Sequence, residues 1–175
     1  MTEDDQGTTG TDEGASDRSE VSGRLRVLAT SDVHSHLLSY NYYTDQEHPG
    51  IGLSRTASLI GAARKEAADS GAITLLVDNG DWLQGSPLAE TDAADPDATP
   101  ASIRAFEVLG YDAVGLGNHE FNFGLPVLAR ALSALPCPAV CSNITPLADA
   151  HALPVQKTLM LHRRVPCAPA DAPDV

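Results

Sequence analysis

Ala72-Ile73-Thr74-Leu75-Leu76-Val77 is a continuous run of apolar and β-branched residues, and it ends in Asp78-Asn79-Gly80-Asp81. Such a run is the mark of a strand covered on both faces, as in a parallel sheet. The segment before it, from Leu53 to about Asp69, places Leu53, Ala57, Ile60, Ala63 and Ala67 at three- and four-residue steps and stops at Gly71. That spacing predicts an amphipathic helix. Further upstream, Leu25-Arg26-Val27-Leu28-Ala29 reads as a first strand, followed by a Tyr-, Asn-, Asp- and Pro-containing loop from Asp32 to Gly50. Downstream, a loop containing Asp92, Asp95, Pro96 and Asp97 leads to Thr99-Pro100, read as an N-cap with proline at the first helical position of a helix reaching Leu109-Gly110. Ala113–Leu116 is a third strand, Leu125-Pro126 opens another helix ending near Leu135-Pro136, and Ala139–Ser142 is a fourth strand. Strands alternating with helices predict an α/β domain with a largely parallel sheet. Between Val155 and Val165 there is room for one more strand, at the edge of the sheet.

The chain has 175 residues, 42% of them apolar and 20% charged, a globular balance with enough length for one hydrophobic core. Its formal charge of -13 is concentrated at the start, where residues 1–20 hold seven acids against Arg18. An acidic surface repels a long phosphate backbone, so a nucleic-acid polymer is not an expected partner. A small anionic substrate is compatible with it if metal ions supply local positive charge. Residues 1–23 have almost no apolar content and are expected to be a disordered acidic tail; residues 24–165 form the domain. The Pro-, Ala- and Asp-rich stretch 166–175 is expected to be a truncated loop, with a short tapering tail as the alternative. Cys137, Cys141 and Cys167 have no paired spacing and read as reduced thiols without structural zinc. With no signal-peptide pattern and no apolar stretch of membrane length, the expectation is a cytoplasmic protein with no membrane partner. The oligomeric state is not legible.

The chemistry gathers where strands end. The first ends in Asp32-Val33-His34, the second in Asp78-Asn79-Gly80-Asp81, the third in Gly117-Asn118-His119-Glu120 and the fourth in Ser142-Asn143. In a parallel sheet these points share the carboxyl edge, where α/β proteins bind ligands. A single Asp after a strand is usually a cap or a turn residue, and Asp78-Asn79-Gly80-Asp81 or Gly117-Asn118 alone suits a tight turn. All of them together, in this order and each after a strand, supply carboxylate, amide and imidazole donors. That is a ligand set for divalent metals, and metal pairs commonly drive hydrolysis of phosphate esters.

The sequence resembles the calcineurin-like metallophosphoesterases, and within them the bacterial 2′,3′-cyclic-nucleotide 2′-phosphodiesterase/3′-nucleotidases, relatives of the 5′-nucleotidases. The resemblance rests on Ala29–His36, Tyr40–Asp45, Asp78–Pro87 and Leu116–Gly124, and runs from about Leu25 to Asn143. It implies part of a four-layer α/β/β/α sandwich and two divalent ions drawn from Mn, Zn, Fe, Co or Mg. It also implies site roles: Asp32 and His34 on the first metal, Asp81 bridging both, Asn118 on the second, and His119 acting on the leaving oxygen, with Asn122 beside it. The implied substrate is a small nucleotide or another phosphoester, hydrolysed by metal-activated water. Relatives are often periplasmic.

Two departures qualify the resemblance. Asn122 stands where related 5′-nucleotidases commonly have Asp, so His119 lacks a fully charged partner, although Asn also occurs in the cyclic-phosphodiesterase branch. The family also completes its metal sites with three later histidines, two of them in a Gly-His-x-His motif. After Gly124 this sequence has no glycine, and its later histidines are His151 and His162. The expectation is therefore an N-terminal fragment of a nucleotide phosphoesterase, poorly active alone. The alternatives are a non-catalytic remnant and a metallophosphoesterase with another phosphoester substrate. Tyr40–Asp45 is the sole hint of substrate, and its tyrosines either stack on a base or pack the loop against the domain.

Overall fold

A computed structural model describes residues 21–144 and 153–169. In chain order the elements are β1 (Val21–Gly23), β2 (Leu25–Thr30), β3 (Tyr40–Asn41), β4 (Gln46–Glu47), α1 (Leu53–Asp69), β5 (Ile73–Asp78), α2 (Pro87–Ala94), α3 (Ala101–Leu109), β6 (Ala113–Gly115), α4 (Leu125–Ser133), β7 (Ala139–Val140), β8 (Val155–Gln156) and β9 (Cys167–Pro169). The main sheet has the order β2-β5-β6-β7-β8, and every neighbouring pair in it is parallel. All its carboxyl ends therefore lie on one edge, as the alternation of strands and helices requires.

Strand alternation sorts the side chains of β2. Arg26, Leu28 and Thr30 are half-buried, and Leu25, Val27 and Ala29 are exposed. α1 lies on the first of these faces: Arg26 Nη1 donates to Ala63 O at 3.1 Å and pairs with Glu66 at 2.7 Å. α1 buries Leu53, Ile60 and Ala67, the stripe that the three- and four-residue spacing marks out. Arg64 reaches from α1 to Leu109 O and Gly110 O at 2.5 and 3.0 Å, satisfying carbonyls at the end of α3. The core is Leu76, Val114, Ile103, Phe106, Leu128, Leu132 and Trp82. Trp82, Phe106 and Tyr111 stack in series, with ring centroids 5.8 and 4.3 Å apart. The opposite face of β2 leaves Leu25 53% and Val27 58% exposed.

Several local expectations are corrected. Asp92 does not sit in a loop but on α2, and it is this residue, not Thr99, that caps α3: Asp92 Oδ2 accepts the Ala101 N–H at 2.7 Å. Pro100 stands at the cap position itself, one residue before the helix. The long loop after β2 contains the small antiparallel β3-β4 pair, with Tyr40 opposite Glu47. The edge strand near Val155 is present but ends at Gln156. Of the acidic segment 1–23, residues 21–23 are described, and they pair antiparallel with 167–169, in the stretch expected to lack any element. A three-residue strand is too short to carry a periodic signal. Among the described residues, no helix is long and apolar enough to cross a membrane.

Candidate metal centre

The loops after β2 and β5 are zipped together beyond the strands. Asn79 N–H donates to Thr30 O (2.9 Å), Asp32 N–H to Gly80 O (3.1 Å), His34 N–H to Asp81 O (2.8 Å) and Ser35 N–H to Trp82 O (3.1 Å). The Ser35 hydroxyl adds a bond to Leu83 O at 2.9 Å. This path forces Asp32, His34, Ser35 and Asp81 to positive φ values of 50 to 61°. Non-glycine residues rarely adopt that conformation, and it clusters at functional sites held by their surroundings. Ladder bonds on both sides hold these residues there, so the side chains of Asp32, His34 and Asp81 are aimed by the backbone.

The loop after β6 meets this pair through a buried carboxylate. Glu120 is fully buried, and its two oxygens accept four main-chain N–H groups: Asp81 (2.8 Å), Trp82 (2.7 Å), Leu83 (3.0 Å) and Gly117 (2.6 Å). An ionised carboxylate has about four such acceptor positions, and here all are taken. Asp81 Oδ1 in turn accepts the His119 N–H at 2.8 Å. A Cβ on Gly117 would stand 2.2 Å from that same oxygen, so this position excludes any side chain.

The result brings ligand atoms of His34, Asp81 and His119 within 4.8 Å of one another. The two imidazoles meet edge to face, with centroids 4.9 Å apart. Asp32 stands at the rim, Oδ1 3.7 Å from His34 Nε2, with its carboxylate largely exposed. Asn118 is exposed and opens the short 3₁₀ turn His119–Phe121. Asn122 Nδ2 lies 2.9 Å from His119 Nδ1 and 3.2 Å from Gln84 Oε1. Asn143 sits apart, accepting from the Cys141 thiol at 3.1 Å. His162 adjoins Arg163, which pairs with Asp112 at the amino end of β6, the edge opposite this centre. His151 lies outside the described residues.

Beneath the centre, Thr30 Oγ1 donates to Asp78 Oδ2 at 2.5 Å and contacts Tyr111 Oη at 2.8 Å, and Gly80 N–H donates to Asp78 Oδ1 at 2.8 Å. Burial pushes the Asp78 carboxyl up to about 6, against the opposing pull of the Thr30 and Gly80 bonds. Burial likewise pushes Tyr111 up to about 12. Glu120, Gln84, Ser35 and Asp78 are the residues that sequence reasoning quotes without giving them a part in the site. Glu120 and Ser35 bond main-chain groups of another loop, Asp78 bonds Thr30 and Gly80, and Gln84 reaches both histidines, contacts that no spacing in the sequence encodes.

Imidazole and carboxylate donors converge on the carboxyl edge of this parallel sheet, and solved structures that match the chain include a calcineurin-like phosphoesterase. The crystal structure of the calcineurin-like phosphoesterase YfkN from Bacillus subtilis matches with a TM-score of 0.60 at 41% identity, covering 67% of this chain and 36% of that one. A putative 5′-nucleotidase from Staphylococcus aureus matches at TM-score 0.60 and 30% identity, over 71% of this chain and 24% of the other. The 2′,3′-cyclic-nucleotide 2′-phosphodiesterase/3′-nucleotidase of Salmonella typhimurium is 46% identical over 124 residues, 69% of this chain. No family model matches the chain. The chain belongs to the calcineurin-like phosphoesterase family, in the branch of the 2′,3′-cyclic-nucleotide 2′-phosphodiesterase/3′-nucleotidases. It spans 18% of the length of the Salmonella protein.

Proposed function

We propose that this domain supplies the amino-terminal part of a metal-dependent phosphoester hydrolase acting on nucleotides. The convergence of His34, Asp81 and His119 ligand atoms within 4.8 Å carries this reading. The donor set fits a divalent transition metal, since neutral imidazole and carboxylate suit Zn²⁺, Mn²⁺ and Fe²⁺ alike. In this reading Asp32, His34, Asp81 and Asn118 would hold two divalent ions, Asp32 and His34 serving one, Asn118 the other and Asp81 both. Divalent ions bound there would supply positive charge to the phosphate and activate water for its hydrolysis. The protein's own part is positional. Asp81 is held by the His119 N–H on its side chain and by Glu120 on its main chain. His119 would stand beside a phosphate bound at this centre and, as imidazolium, would give a proton to the departing alkoxide. The Salmonella and Bacillus proteins carry nucleotide phosphoesterase names, which supports a nucleotide as substrate.

The described residues offer few donors for two ions, so the isolated chain binds metal weakly and turns over slowly. The test is a Mn²⁺ titration by calorimetry together with hydrolysis of bis(p-nitrophenyl) phosphate and 2′,3′-cyclic AMP. Asp81→Asn is expected to abolish what metal binding there is. In a complete enzyme carrying this domain, His119→Ala should retain the metal and lose on the order of 10²-fold in rate. Metal binding that survives Asp81→Asn, or metal lost with His119→Ala, would overturn the assignment of roles.

A further inference from the structure

Gln84 touches both histidines of the centre. Its main-chain oxygen lies 2.7 Å from His34 Nδ1, and its side-chain Oε1 lies 2.9 Å from His119 Nδ1. Gly85 follows at φ +146°, and a Cβ there would stand 2.6 Å from His34 Nδ1, so the segment presses directly on that ring. A carbonyl oxygen only accepts, so His34 must carry its proton on Nδ1. The orientation of the Gln84 amide is set at its other end, where Nε2 donates to Glu90 Oε1 at 3.5 Å. With Oε1 toward His119, a hydrogen bond at 2.9 Å places the His119 proton on Nδ1 as well. Asn122 closes a triangle with these two atoms, at 2.9 Å from His119 Nδ1 and 3.2 Å from Gln84 Oε1. Asn122 Nδ2 donates to Gln84 Oε1, so in this assignment Oε1 accepts from both Asn122 and His119.

We propose that Gln84 is the positioning residue for both site histidines, its main-chain oxygen orienting His34 and its side-chain oxygen orienting His119. One residue thereby couples the loops after β2, β5 and β6, leaves the Nε2 lone pair of His34 free for a metal, and leaves Nε2 of His119 as the atom that carries, in the imidazolium form, the proton given to the leaving oxygen. Partners of this kind usually fix the tautomer and aim of a metal-site histidine, and their loss typically costs 10- to 100-fold in affinity or activity. The usefulness of Gln84 in catalysis rests on the phosphoesterase reading; its control of the two rings does not.

The experiment separates the two. ¹⁵N-labelled protein in alkaline, metal-free solution reports the tautomer of each histidine by two-bond ¹H–¹⁵N correlation, with His34→Gln and His119→Gln for assignment. The wild-type chain is expected to show the Nδ1–H tautomer at both rings. Gln84→Leu should remove that preference at His119 and keep it at His34, whose partner is main chain. Gln84→Glu, which restores an acceptor at the same reach, should bring it back. An Nε2–H tautomer at His119 in the wild type, or a His119 signature unchanged by Gln84→Leu, overturns the proposal, and the wild-type measurement stands even if the leucine variant does not fold. Mn²⁺ affinity measured on the same samples should fall on the order of tenfold in Gln84→Leu. If the tautomers behave as expected while a complete enzyme carrying this domain binds no Mn²⁺, the phosphoesterase reading fails and the positioning role survives.

Discussion

At the scale of single residues, Glu120 does most to hold the centre in shape. Its carboxylate joins the loop after β5 to the loop after β6 by accepting four N–H groups, one of them from Asp81. Glu120→Gln turns one oxygen into an NH₂ that faces two N–H donors. Each buried donor left without a partner costs about 1–3 kcal/mol, so the substitution should destabilise the fold by at least about 2 kcal/mol. Where the NH₂ takes the place of Oε2, Asp81, at φ 61°, loses one of the main-chain bonds that hold its unusual conformation. Urea unfolding and Mn²⁺ titration on the same variant should both report a loss. A Leu76→Ala variant supplies the control, since it also loses stability, from the core, but should leave Mn²⁺ binding less affected. Equal loss of Mn²⁺ binding in both variants would mean that Glu120 acts only through global stability.

At the scale of elements, the start of α3 depends on a residue of α2. Asp92 Oδ2 accepts the Ala101 N–H at 2.7 Å, while no side-chain cap comes from the residue preceding the helix. Capping bonds of this type are typically worth about 1 kcal/mol. Asp92→Ala should therefore lower stability by about that amount, and Thr99→Ala should leave it nearly unchanged. Thermal unfolding of the two variants decides between the tertiary cap and the one read from Thr99-Pro100. The sequence pattern pointed to Thr99 because capping rules are written for the residue next to the helix. An acceptor nine positions upstream becomes available only once α2 and α3 have packed.

At the scale of the whole molecule, the buried Thr30–Asp78–Tyr111 group ties stability to pH. The folded carboxyl of Asp78 sits at about 6 against an ordinary 3.8. Between those values the folded state keeps a proton that the unfolded chain has released, so stability falls as pH rises through this window and is level with respect to Asp78 above it. The shift corresponds to on the order of 3 kcal/mol. In metal-free buffer, urea midpoints measured from about pH 4 to about pH 6 should decline more steeply for the wild type than for Asp78→Asn. Parallel slopes would show that Asp78 ionises freely in the fold. The same sheet leaves Leu25 and Val27 more than half exposed, although one face of β2 is well packed by α1. Contiguous apolar surface of this kind favours self-association. Val27→Lys should reduce any concentration-dependent association seen by light scattering without altering the fold.

The helix α1 and the strands β2, β5 and β6 were legible because each carries a period or an apolar run that the backbone geometry imposes wherever the segment folds. Their order predicted a parallel sheet, and a parallel sheet puts its carboxyl ends on one edge, so His34, Asp81 and His119 could be named as neighbours before any coordinates. What only tertiary structure decided are the contacts between loops. Gln84 meets two histidines, Glu120 meets four main-chain N–H groups and Asp92 meets a helix it does not precede. Main-chain donors and acceptors are the same for nearly every residue type and leave no trace in composition or spacing. Which of them a buried carboxylate or amide will find is settled by how the strand ends pack, and that is why the convergence of His34, Asp81 and His119 is legible in the sequence and the residues that hold them are not.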